Sequence, residues 1–435
     1  MKKIILLLLI TISHYLSAQT QFKSLQDIFD YADNHAFAIQ SSEIQQQADK
    51  AKEQQAKAFL YPTVTAVSGY QDNITRQATL VPSKLFDPSA TSDSFEEMTF
   101  GKQHIYNVGI QAQWDILNFQ KIFASKTACI STHAGKINTE KAKFTTYNQL
   151  AAIYYSILLA QESIDIYSSN VEITKILLDN ETERYKSGIG SEEDLNRVTI
   201  QHIGNEKNLE YSLSNLLQLN TQFQTLLNTD DDIIVSGRMD VSIVNNTDME
   251  TLTPEISWQE AQVRISESKL KQNKAMHLPS LSFQYQYNSN WAANDFMRFS
   301  NANKLPSQFL GVKLSIPIFT GFSTRGKVKE AKAELQWQQM RLENIQLVKQ
   351  KEDETLKLQY HQTENSLKKT KKMLDLQTIN DTHSNNKYES GIISLDTRMD
   401  KYVDLLAAQS NYLQVLADYS IAQYKIYIRQ IKFNL

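Results

Sequence analysis

The chain has 435 residues and a formal net charge of −3, a balance that leaves no basic footprint for nucleic acid. Its single cysteine, Cys129, excludes an intrachain disulfide framework. Only 12 Gly and 7 Pro punctuate the length, and they cluster: Gly391 stands alone between Lys327 and Leu435, and Lys136 to Ser187 holds neither. Such a sequence predicts long uninterrupted helices rather than a turn-rich globule.

At the N-terminus, Lys2-Lys3 precede the apolar run Ile4 to Ile12, and Leu16-Ser17-Ala18 stand before Gln19. This is the layout of a secretory signal peptide over residues 1–18, with an apolar run too short to span a bilayer. Gln19 in place of a cysteine argues against a lipid anchor, and no later segment reaches 18 apolar residues.

Phe22 to Phe59 reads as helix and Pro62 stops it. A β-branched strand follows at about 62–70, then a polar loop from Gln71 to His104, then a strand at about 106–117. In that second strand Val108, Ile110, Ala112, Trp114 and Ile116 alternate with Gly109, Gln111, Gln113 and Asp115. From Gln120 to Arg184 runs a helix of 65 residues, about 97 Å at about 1.5 Å per residue. Gly188 suits the left-handed residue that closes it. Ser191, with Asp194 three residues on, reads as the cap of a return helix from Glu192 to Leu227. Residues 228–254, carrying Asp230-Asp231-Asp232, are the least regular stretch and read as a linker.

The plan then repeats. Strands at about 279–288 and 309–319 lead to a helix from Arg325 to Lys387, with a seam at Val328, Ala331, Leu335, Leu342 and Ile345. Gly391 closes it, Ser394 caps the next, and Leu395 to Ile428 returns. Leu60-Tyr61-Pro62 matches His277-Leu278-Pro279, and Arg184-Tyr185-Lys186-Ser187-Gly188-Ile189 matches Lys387-Tyr388-Glu389-Ser390-Gly391-Ile392. The two repeats are 19–227 and 255–435, with tips near 185–194 and 388–400.

Four strands of about ten residues, each with one apolar face, have the length of tilted transmembrane β-strands. Four cannot close a barrel, and a free edge is not tolerated in lipid, so several chains must pool their strands. Strand arithmetic alone allows eight strands in a dimer as readily as 12 in a trimer.

These landmarks resemble the TolC family of outer-membrane efflux ducts over nearly the whole mature chain. The most specific piece is the strand-to-helix junction Ile316-Pro317-Ile318-Phe319-Thr320-Gly321, with Pro317 and Gly321 at its turns. The paired Tyr-x-x-Gly tips and the helix-Pro-strand junctions add to it. The resemblance implies a mainly α fold with transmembrane β: a homotrimer sharing a 12-stranded barrel and an α-helical tunnel roughly 100 Å long. It implies a passive channel in the outer membrane of a Gram-negative bacterium, most of it in the periplasm, with no bond chemistry and no cofactor. A periplasmic adaptor and an inner-membrane pump of the RND or ABC type are its implied partners, beside outer-membrane lipid.

At the tip, the resemblance makes Tyr388 a latch between helix pairs, Asp194 its first-repeat partner, and Asp400 a lumen carboxylate. Gly188, Ile189, Gly391 and Ile392 match the turns that adaptor hairpins contact. Two positions depart from the family: Ile393 stands where an arginine is expected and Thr397 where a second aspartate is. The latch would then lack its ion pair, and the carboxylate ring would have one member per chain.

Other readings weigh less. Gly321 to Lys327 fits G-x-x-x-x-G-K, but Val328 follows where a magnesium-binding hydroxyl belongs. The histidines form no metal-ligand pattern, and no nucleophile elbow appears. An exit duct for type I protein secretion uses the same fold and is the alternative. An exported coiled-coil scaffold without a pore is the rival of another class.

Overall fold

The computed structural model describes residues 20–237, 239, 248–250 and 252–435. The expected export signal over 1–18 and part of the linker lie outside the described residues. Two compact units form, each drawing on both repeats: Asp49–Thr132 with Val263–Gln338, and the remainder of the described chain.

The first unit is built around a four-stranded antiparallel sheet of β2 (Thr63–Asp72), β5 (His104–Asn118), β7 (Ser280–Ala293) and β8 (Asn303–Ser315), in that order. The pairing of β5 with β7 joins the hairpins of the two repeats into one sheet. Register places Val64, Ala112, Tyr285 and Leu310 in one row, and Trp114, Phe283 and Val312 in another. Because side chains alternate along a strand, these rows form one apolar face. It is open to the surroundings: Val64 is 67% exposed, Leu310 68% and Val312 63%. The opposite face carries the amides and hydroxyls. Each of β2 and β8 pairs on one side only, so both edges of the sheet are unpaired among the described residues.

Three of these strands run 13–15 residues, longer than expected. At the far end β8 stops at Ser315, short of the expected residue 319, since Pro317 has no N–H to continue the ladder. Gly321 (φ 60) and Phe322 (φ 64) then turn the chain into the next helix. Gly326 lies inside that helix rather than in a loop, so the G-x-x-x-x-G-K pattern makes no phosphate cradle. The polar loop 73–103 also differs from expectation: it carries a small hairpin of β3 (Ala78–Pro82) and β4 (Phe95–Thr99). Five-residue strands, one of them ending at Pro82, leave too short an alternation to read.

The second unit is helical. Phe22 belongs to strand β1 (Thr20–Phe22), not to helix; β1 pairs in parallel with β6 (Ile233–Val235). Helix starts at α1 (Leu25–His35) because Ser24 and Asp27 form a reciprocal capping box, with bonds of 3.2 and 3.1 Å. A break at Ala36 separates α1 from α2 (Phe37–Lys57). The long helices are α3 (Phe119–Lys186, 68 residues) and α6 (Ser323–Glu389, 67 residues). The return helices α4 (Glu192–Leu227) and α7 (Leu395–Gln430) have 36 residues each. Between the repeats, α5 (Pro254–Ala275) leads into β7. None of the described helices is long and apolar enough to cross a membrane.

The main core of this unit gathers Ile28, Phe29, Ala32, Ile39, Leu150, Ile157, Phe223 and Leu227, all 1% exposed or less. Each large side chain so buried contributes about 1.5–3 kcal/mol. Asp33 pins α1 to α3 by accepting from Lys143 (2.8 Å) and Tyr147 (2.7 Å).

Candidate functional site

The tips of the two helix pairs lie in the helical unit and share one backbone motif. At the end of α3, Ile189 N–H donates to Arg184 O and Gly188 N–H to Tyr185 O, both at 3.0 Å. At the end of α6, Ile392 donates to Lys387 (2.8 Å) and Gly391 to Tyr388 (2.9 Å). These six-to-one and five-to-two bonds make a Schellman turn, and both glycines have φ of 73°. A side chain at either glycine would meet no neighbour, so the left-handed backbone itself demands glycine. Ser191 then accepts from Asp194 N (3.0 Å) and Ser394 from Thr397 N (3.3 Å), starting the return helices. Ile189 and Ile392 remain 71% and 70% exposed.

Four contacts hold the tips behind these turns. The Tyr388 hydroxyl on α6 donates to the buried Glu181 carboxylate on α3. Burial, then this bond, pushes the Tyr388 phenol well above the ordinary tyrosine range. Arg184 also reaches Glu181, at 3.5 Å. Arg197 on α4 forks across two carboxylates on α7, donating to Asp396 and, at 3.0 Å, to Asp400. Arg398 on α7, 1% exposed, donates to Asp381 on α6 at 2.5 and 3.3 Å and to Asn385 at 3.3 Å. Beside it Leu177, Val198, Leu395, Met399, Tyr402 and Leu405 form a small apolar cluster. Within that cluster Asn205 donates to the Tyr402 hydroxyl (2.9 Å), and burial raises the Tyr402 phenol too.

The family model for outer membrane efflux proteins matches residues 29–229 and 250–433. The chain belongs to that family. No curated protein matches it. Among solved structures, a membrane protein from Pseudomonas aeruginosa is similar at 14% identity and a TM-score of 0.76, covering 93% of this chain and 90% of that one. The outer membrane protein VceC of Vibrio cholerae gives 12% and 0.68 over 94% and 95%. The open-state MtrE outer membrane channel of Neisseria gonorrhoeae gives 16% and 0.68 over 92% and 88%. At such identities the likeness shows the fold. With the family match, it makes this chain an outer-membrane exit-duct subunit of an efflux system.

Of the expected site residues in this efflux protein, Gly188, Gly391 and their isoleucines sit at the turns as described. Asp400 is at the tip but already paired, with Arg197. Tyr388 meets Glu181 instead of Asp194. The Asp194 carboxylate is turned back to its own helix end, where it accepts from the Ser191 hydroxyl at 2.7 Å. Glu181, Arg197 and the Asp381–Arg398 pair are the residues that reading the sequence missed. One signal was available for the last of these. Tyr360, Leu367 and Leu374 recur at steps of seven on α6, and Asp381 falls on the next step of that apolar stripe.

Proposed function

We propose that copies of this efflux protein pool their four-stranded sheets into one closed barrel, as a homotrimer in the outer membrane of a Gram-negative bacterium. The observation that carries this is the sheet itself. It has an exposed apolar face spanning all four strands, suited to lipid, and two edges with no partner among the described residues. An open edge in hydrocarbon leaves backbone groups unsatisfied at several kcal/mol each, so other copies must supply the pairing. The polar face then lines a wet conduit. The purified protein is expected to run in mild detergent at about three times 49.9 kDa, to dissociate only on heating, and to conduct stepwise in planar bilayers. A monomer that keeps its full strand content sinks the reading.

The tips extend into the periplasm and form the gate of the conduit, with Tyr388–Glu181 and Arg197–Asp396/Asp400 as its bolts. Both join α3–α4 to α6–α7, so separating those pairs breaks them first. Asp194 supports the gate only by capping α4. Asp400 supplies the tip carboxylate and shares Arg197 with Asp396 in this state. An adaptor engages Gly188-Ile189 and Gly391-Ile392, whose exposed isoleucines offer apolar contacts, and an inner-membrane pump of the RND or ABC type drives the cargo. Cysteines at Ile189 and Ile392, crosslinked to candidate adaptors, test this; adaptors that crosslink only elsewhere on the helices refute it.

A further inference from the structure

The polar face of the sheet carries a block of four glutamines. Gln111 stands opposite Gln286 and Gln113 opposite Gln284 across β5 and β7. On β2, Thr65 continues the first row, and on β8 Phe309 ends it opposite Gln286. Together they line a depression of about 200 Å³, and no charged side chain is among its walls. The nearest acid on this face, Asp115, is already paired with Lys121.

Two further observations set this block apart. Among the described residues, none of the four carboxamides has a hydrogen-bond partner within the chain. Phe309 is the second. It is 51% exposed on the polar side of the strand, where lipid contact does not explain an aromatic ring. Its edge lies 4.0 Å from where a Cβ of Gly311 would stand, so the ring leans over the glycine beside the amides.

A carboxamide offers a donor and an acceptor side by side, the pattern that neighbouring hydroxyls match. An aromatic face takes the C–H face of a ring. A pocket without charge gives an ionised ligand no return for its desolvation. We infer that this block is a binding subsite for a neutral, polyhydroxylated ring, the chemistry of a hexose unit in an oligosaccharide. Its place along a transport path rests on the conduit reading above; the binding itself does not.

The probe is maltotriose, titrated calorimetrically into the detergent-solubilised oligomer and added to single channels in planar bilayers. Millimolar binding and brief channel closures are expected. Phe309→Ala and the pair Gln111→Ala with Gln286→Ala should each weaken binding about five- to tenfold, the worth of about one to one and a half net hydrogen bonds. These positions are surface ones, and retention of the heat-modifiable oligomer checks that the variants fold. Absence of heat at tens of millimolar maltotriose, or equal affinity in the wild type and both variants, overturns the inference. Calorimetric binding to an oligomer that does not conduct upholds the subsite and refutes the conduit instead.

Discussion

In the first repeat, the tip places Leu178 on the long helix and Leu195 on the return helix; the equivalent residues of the second repeat are Asp381 and Arg398. The backbones of the two turns are the same, down to the φ of their glycines. What differs is the chemistry at these two positions: leucines in one copy, a buried ion pair in the other. Arg197 and Asp400 are also equivalent, 203 residues apart, yet they bond each other. Like residues kept at both places would put like charges face to face. Opposite signs at duplicated positions convert the meeting of the two copies into an attraction. The repeat supplies the frame, and departures from the repeat supply the chemistry of the tip.

The buried pair should show the difference between the two tips most strongly. Asp381→Ala leaves the Arg398 guanidinium without its carboxylate at 1% exposure, which should cost about 3–5 kcal/mol. Replacing both with leucine copies the first repeat and should be neutral, or stabilising by about 1–4 kcal/mol. Thermal unfolding of the detergent-solubilised oligomer, followed by circular dichroism, reads both. A double variant as unstable as Asp381→Ala would mean that the second tip has no room for leucines, and that the repeats differ in packing as well as charge.

Tyr388 tests the same contrast between copies, because Tyr185, its counterpart, is 43% exposed and Tyr388 is bonded to buried Glu181. Tyr388→Phe leaves that carboxylate short of a donor and should cost about 1–3 kcal/mol, seen as faster amide exchange around 385–392 and more frequent channel opening. Tyr185→Phe should change neither. The phenol's value is raised in the fold, so its contribution is whole below the ordinary tyrosine value of 10.0 and is lost as pH rises beyond it. Alkaline pH should therefore loosen the wild-type tip and spare Tyr388→Phe this particular effect.

Much of the frame was legible in local pattern. Helix lengths followed from the absence of Gly and Pro, the four main strands from their alternation, and the tip turns from Gly188, Gly391 and the serines after them. Each signal lies within a few residues of what it specifies. Strand β1 escaped because three residues carry no period, and its partner Ile233–Val235 is more than two hundred positions away. The tip contacts escaped for the same reason: Tyr388 and Glu181 are 207 residues apart, and Arg197 and Asp396 are 199. Nothing local to an exposed arginine on α4 names its acceptor on α7. The pairing of Asp400 with Arg197 is likewise set by which helices the fold brings together.

Gly391→Ala is a milder probe, since only the left-handed backbone opposes it. It should cost about 1 kcal/mol, matched closely by Gly188→Ala because the two turns have the same geometry. A large difference between the two variants in thermal midpoint would show that the turns are loaded unequally by what lies behind them.

The smallest effect belongs to the Arg197 fork. Its guanidinium side chain is 41% exposed and its carboxylates 67% and 69%, so water and salt screen it heavily. Stability should hardly change in Arg197→Ala, but the charge at the tip should. With the arginine gone, Asp396 and Asp400 present two uncompensated carboxylates per chain, and the channel should gain cation preference and be blocked more strongly by multivalent cations. Removing Asp400 as well, by Asp400→Asn, should reverse most of that gain. Arg197→Ala should also open more often, and raising the salt concentration should move the wild type toward that frequency, because screening weakens the same bond. Reversal potentials in asymmetric salt that stay identical across all three proteins would place the charge-selecting constriction away from this tip.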